Sequence, residues 1–325
     1  MKFFRISVLL SALFFIFQSC KKERAEIWNV EVKVPEKQVE IIDISKEFFD
    51  PNVPTDQFKA KYPWFQGTVK DEHFELRRTN PEEIKVYKEA VSKIDQAKLQ
   101  KELSQLFARI THYFPKFTQP KVYLFSSSTQ LYQEPIIFDP QQGLLFIDIS
   151  SFMGSKNPVY KGIEEYIKKA MNPENLVPRV SEAIAFTIVP FDRIEQKFLN
   201  LITYNGKVMT LQDAFLPDTP DHLKMSLTQE QYAWSVAHET EIWNYFIEND
   251  LVYSPDPLLV QRFIAPGPFS KFYTDADNES APQVGVFTGW QIARKYYEEF
   301  PDTKLEDFMN MSAPDIFTKS GYKPQ

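Results

Sequence analysis

The stretch SVAHETEIWNYF, residues 235–246, opens like a zinc-protease helix and then departs from one. A helix that holds zinc through His-Glu-x-x-His needs imidazoles four residues apart, so that both face the metal while the glutamate activates a water. His238 and Glu239 fill the first two positions, but Ile242 stands at the fifth. Thr228 with Gln231 three residues on has the form of a capping box, so residues 229–248 are expected to be one helix. On it Trp234, His238, Ile242 and Tyr245 share a face, with Glu239 turned about 100° away. The other histidines are His73, His112 and His222, and no two histidines stand three to five residues apart. No local pair can start a zinc site, so His238 reads as a packed or hydrogen-bonded side chain on a core helix. His112, near the end of another helix, suits the terminal carbonyls there.

Outward from this helix, the 325 residues are 43% hydrophobic and 15% aromatic, enough apolar material for a large core. That length lies near the ceiling for a single core, and one globular domain of two lobes is expected. The start of the chain is separate. Lys2 and Arg5 precede an apolar run from Ile6 to Phe17, and Gln18-Ser19-Cys20 follows, the layout of a secretory signal. The run is too short to span a bilayer, which takes about 20 apolar residues. Cys20 is the only cysteine, so no disulfide can form within the chain. Removal of residues 1–19 takes Lys2 and Arg5 away and moves the formal charge from −7 to −9. An acidic body gains nothing from phosphate counterion release, so nucleic acid is not an expected partner.

Along the rest, residues 20–28 read as a tether and 29–325 as the domain, with a sheet-containing lobe over about 29–155 and a helical lobe over about 156–325. Val30–Val34 alternates like a strand, with Val39–Ile44 as its neighbour. Asn80, Pro81, Glu82 and Glu83 form a helix start. Leu99, Leu103, Leu106, Ile110 and Tyr113 make an apolar stripe that ends at Pro115. KVYLFS (121–126) and PIIFDPQQGLLFIDIS (135–150) give three strands. Helices are then expected over Pro158–Met171, Arg179–Val189, from Thr228, and around TGWQIARKYYEEF (288–300). The class is α+β and helix-dominated, a small N-terminal sheet followed by a helical lobe.

No G-x-G-x-x-G, Walker-type or G-x-S-x-G sequence occurs, which removes the usual nucleotide cradles and the hydrolase elbow. Ser126–Thr129 (SSST) reads as a strand end. Gly285 and Gly289, a G-x-x-x-G outside any apolar 20-mer, read as close packing or capping.

The order of several segments carries more information than any one motif. These are HYFPKFTQPKVYLFSSS, LLFIDISSFMGSKNPVY, YNGKVMTLQDAFLPDTPDHL, SLTQEQYAWSVAHETEIWNYFIENDLVYSPD, PGPFS, GVFTGWQIARKYYEEF and the terminal DIFTKSGYKP. In that order the chain resembles the gliding motility-associated lipoprotein GldB family of Bacteroidota over nearly all its mature length. Separately, the region before Lys21 resembles a bacterial lipoprotein signal, with Cys20 as the acylated, palmitate-type attachment residue. The family in turn resembles, distantly, predicted zinc proteases of zincin-like fold. Carried onto this sequence, their metal helix falls on RVSEAIAFTIV (179–189). Its metal positions fall on Ser181 and Ala185 around Glu182, with Asn205 at the downstream ligand site. Serine, alanine and asparagine do not replace two imidazoles and a carboxylate. The alternative makes residues 179–189 an ordinary core helix and Asn205-Gly206 a tight turn, and periodicity does not separate the two.

The resemblance implies a role in gliding motility and its linked secretion machinery, for an outer-membrane lipoprotein in contact with other gliding or secretion proteins. The missing ligands point to a non-catalytic protein with no metal, no cofactor is expected, and the tether KKERAE (21–26), without a compact acidic run, favours the periplasmic face. Trp243 and Trp290, in the landmark segments, are candidate interface anchors or core residues. The alternatives are a zincin-like hydrolase using Glu182 or the His238–Glu239 pair, and a peptide-binding pseudoprotease with a groove beside Glu182 and Asn205.

Overall fold

The computed structural model describes residues 27–325 except positions 37 and 276. The signal over 1–19, Cys20 and all but the last two residues of the tether lie outside the described residues.

Four strands form one sheet in the order β1–β2–β4–β3, where β1 is Ile41–Asp43, β2 Lys121–Phe125, β3 Ile136–Asp139 and β4 Leu144–Asp148. The first three in that order run parallel, and β3 is the antiparallel edge. Three strands were expected from Lys121 onward, and before them an N-terminal pair at Val30–Val34 and Val39–Ile44. The expected strand at Val30–Val34 is absent, because that segment runs mostly exposed with the Trp28 and Val30 carbonyls held by Arg109. Only the Val39–Ile44 half of the pair joins the sheet.

Period-two alternation gives each strand two working faces. Val122, Leu124, Leu145 and Ile147 point into the main core, and Tyr123 and Phe146 point to the other side. That second face is covered by α1 (Ile44–Phe48), α2 (Thr55–Lys61) and α3 (Asp71–Arg78), whose Phe48, Phe58 and Phe74 pack edge to face. The Arg78 guanidinium is buried among them and donates to the carbonyls of Phe48 and Val53. Next come α4 (Pro81–Lys93), capped by Asn80 as its sequence suggests, and α5 (Gln96–Tyr113), capped by Asp95.

Helices outweigh strands, at 54% of the described residues. After the sheet come α6 (Glu165–Lys168), α7 (Leu176–Ile188), α8 (Phe198–Phe215), α9 (Asp221–Lys224), α10 (Gln229–Ala237), α11 (Glu239–Glu248), α12 (Val284–Glu299), α13 (Leu305–Asn310) and α14 (Ala313–Ser320). The expected helix over Pro158–Met171 is instead a 3₁₀ turn at Pro158–Tyr160 and the single turn α6. Gly162, at φ +93°, interrupts it in a region that side-chain-bearing residues avoid.

The pairing of α8 with α12 organises the helical half. Gly206 meets the carbonyl of Gly289, and Gly289 in turn lies against the carbonyl of Ile202, so the two backbones touch. Asn205-Gly206 is therefore mid-helix, not a turn, and its glycine is there for contact. Gly289, with Gly285 against Phe263, gives the G-x-x-x-G its packing role. One continuous core runs from Val39 through the sheet and α5, α7, α8 and α12 to Tyr322.

The segment that opened the sequence reading is two helices rather than one. The Thr228–Gln231 capping box forms, but His238 breaks the run at φ −112°, ψ 21°. Its ring stacks on Trp234 at 4.1 Å, and Nδ1 lies 2.8 Å from the Trp234 carbonyl. This local bond competes with helix continuation, and the imidazole caps the preceding turn.

Candidate functional site: a groove along a sheet edge

The site begins with the ladder between β3 and β4. Antiparallel strands alternate hydrogen-bonded and non-bonded pairs. The Asp148 amide donates to the Pro135 carbonyl at 2.8 Å, which fixes Pro135, Ile137 and Asp139 as the residues facing β4. Ile136 and Phe138 then direct both backbone N–H and C=O to the outer side, where no strand follows.

That outer side is one wall of a groove of about 810 Å³. Pro135, Ile136, Ile137 and Phe138 line it consecutively. A strand meeting a cavity with its face would contribute every second residue, so the edge itself faces the groove. The rest of the lining includes α7, which packs directly against β3, and α8. Helical geometry separates α7 into two faces, 100° per residue. Leu176, Val180, Ser181, Ile184 and Ala185 are buried in the core, and Arg179, Glu182, Ala183 and Phe186 line the groove. From α8 come Asn205, Val208 and Met209, and Met225, Ser226 and Leu227 close one end.

Of the four protease-like positions, the structure brings Glu182 and Asn205 to the groove and turns Ser181 and Ala185 away from it. The reason is the register of α7, whose apolar stripe contains positions 181 and 185. Glu182 is held by Arg179 at 2.5 Å, with both side chains partly exposed. Asn205 spends its amide on the Leu201 carbonyl one turn back. Ser181 Oγ is buried with no hydrogen-bond partner among the described residues. Among those residues there is no cluster of three or more His, Cys, Asp or Glu placed to share a metal ion. The Glu239 carboxylate accepts from the Tyr322 hydroxyl at 2.9 Å, away from this groove.

The two tryptophans offered as interface anchors or core residues are core residues. Trp243 packs between Phe317 and Tyr322, and Trp290 is 0% exposed. Trp290 Nε1 donates to Asp213, and its ring lies 3.7 Å beneath the Arg294 guanidinium. Arg294 bridges Asp213 and Asp221, Lys224 joins both, and Tyr232 donates to Asp221. Burial would raise the Asp213 and Asp221 carboxyls, but Arg294 and Lys224 outweigh it, bringing Asp221 to about 2. This cluster borders a second cavity of about 730 Å³. Its two cations and two anions are spent on one another, which marks it as a joint between α8, α9, α10 and α12 rather than a recognition site.

Sequence reading missed Ile136 and Phe138 as exposed hydrogen-bonding positions and Arg179 as the partner of Glu182. One signal was present: Pro135 immediately precedes β3, and proline at the start of a strand is at home on an edge.

The fold and groove define a helix-dominated α+β protein whose open sheet edge borders an apolar cleft. The chain belongs to the family of gliding motility protein GldB, whose model matches residues 21–324. No curated protein and no solved structure matches it.

Proposed function

We propose that this chain is a non-catalytic lipoprotein of the cell envelope that supports gliding motility and its associated secretion machinery by contact with other proteins. Family membership over nearly the whole chain carries the reading, and the family's label marks it as one of lipoproteins. Attachment falls to Cys20 in this account, and no helix among the described residues is long and apolar enough to cross a membrane. Several acyl chains, at about 0.8 kcal/mol per buried methylene, hold a protein on a bilayer where one chain binds only reversibly. The segment after Cys20, Lys21 to Glu26, lacks a compact acidic run, which favours the periplasmic face of the outer membrane.

Residue chemistry speaks against catalysis. At the positions aligned with a zincin-like site, none offers an imidazole, and two are packed in the core. A second reading, a peptide-binding pseudoprotease, draws support from Glu182 and Asn205 sharing one groove.

The test is a Cys20→Ala allele at the native locus. The account expects a folded, soluble protein released from the membrane fraction and colonies that no longer spread. A Cys20→Ala protein that still sediments with outer membrane overturns lipid attachment.

A further inference from the structure

We propose that the groove receives an extended polypeptide segment of a partner protein, which pairs with the free edge of β3 as a fifth strand. This rests on the reading that the chain works by protein contact, and it names the form of the partner and the place it occupies.

The backbone decides what can cover this wall. Ile136 and Phe138 direct two N–H and two C=O groups at the groove. A helix face or a lipid tail laid there would bury these groups without partners, at a cost comparable to lost hydrogen bonds. A strand satisfies all four, with the partner's residues i and i+2 each exchanging a pair of bonds. Four residues of β3 span about 13 Å, room for a segment of similar length.

Side chains and charge narrow the partner further. Along a bound strand alternate residues point to opposite sides, so one set enters the cleft against Phe186, Val208 and Met209. That set is apolar. Arg179 and Glu182 neutralise each other, whereas Glu134, in the groove wall before β3, forms no ion pair with a described residue. The groove thus carries one uncompensated negative charge, and the matching segment bears a lysine or arginine near Glu134.

The experiment uses the full chain in detergent and three acetylated eight-residue peptides alternating valine and threonine. One carries a central lysine, one a glutamate in its place, and one the lysine with alternate amides N-methylated. The lysine peptide is expected to bind and to slow amide exchange at Ile136 and Phe138 at least about tenfold. N-methylation is expected to weaken binding about tenfold or more, and glutamate several-fold. Ile136→Pro removes an outward donor while sparing the β4 ladder, and should weaken the lysine peptide about as much as N-methylation, at unchanged thermal midpoint. Should that variant unfold, the N-methylated peptide still decides. No binding by any peptide at millimolar concentration overturns the proposal, as does equal binding of the N-methylated copy. Normal spreading with a folded Ile136→Pro, beside failure with Cys20→Ala, removes the strand proposal and leaves the lipoprotein reading standing.

Discussion

Gly206 and Gly289 bring two helix backbones into direct contact: a β-carbon on Gly206 would sit 2.2 Å from the Gly289 carbonyl oxygen. This is where α8 and α12 cross, and α8 also supplies Asn205, Val208 and Met209 to the groove. Groove shape therefore depends on a contact only glycine permits.

Gly289→Ala is the sharper test, because its β-carbon would lie 1.8 Å from the Ile202 carbonyl oxygen, a backbone atom with no rotamer to escape into. The expected loss is about 3 kcal/mol in urea denaturation, the upper part of the range for overpacked cores. A loss under about 1 kcal/mol would show that the helices can slide apart.

The buried ion cluster predicts acid sensitivity with a definite sign. Asp221 ionises at about 2 in the folded protein, against an ordinary value of 3.8. A carboxyl depressed on folding adds stability that is complete above the ordinary value and lost as pH falls through the folded one. This residue's share is on the order of 2 kcal/mol, given up progressively from about pH 4 to pH 2. Urea midpoints at pH 5 and pH 2 measure it. Arg294→Met should cost about 3–5 kcal/mol at pH 7, because two carboxylates lose their main partner, and should flatten the acid dependence.

Ser181 gives a prediction of the opposite direction. Its hydroxyl is buried and unpartnered, so Ser181→Ala removes a desolvation penalty without opening a large cavity. Stability should stay level or rise by about 1 kcal/mol. A drop beyond 1 kcal/mol, read from the thermal midpoint, would show that Oγ is satisfied in solution.

Much of the fold was legible where local chemistry decides it. Asn80 and Pro81 start α4, Thr228 and Gln231 start α10, and the alternating apolar residues of β2 and β4 place those strands. What escaped was decided by contacts distant in sequence. Val30–Val34 alternates like a strand, yet Arg109 from α5 holds it as an irregular segment. Asn205-Gly206 looks like a turn because glycine's freedom is visible in sequence, whereas the partner helix that needs its bareness is 83 residues away, at Gly289. The site was half legible for the same reason. Glu182 and Asn205 share a groove, but the rotation of α7 that buries Ser181 and Ala185 follows from packing, and the open edge of β3 from strand order.

The central claim is that the groove works by binding and not by chemistry, and two alleles separate these. Phe186 is 41% exposed in the groove wall, so Phe186→Lys should leave the body folded while placing a cation where the proposed apolar, basic segment would lie. Glu182→Gln keeps the size of the side chain but removes the only carboxylate at the protease-like positions. Colony spreading of the two strains, at matched levels of membrane-bound protein, is the direct measurement. The account predicts that Phe186→Lys fails to spread and Glu182→Gln spreads normally, whereas spreading by Phe186→Lys with loss in Glu182→Gln would contradict it.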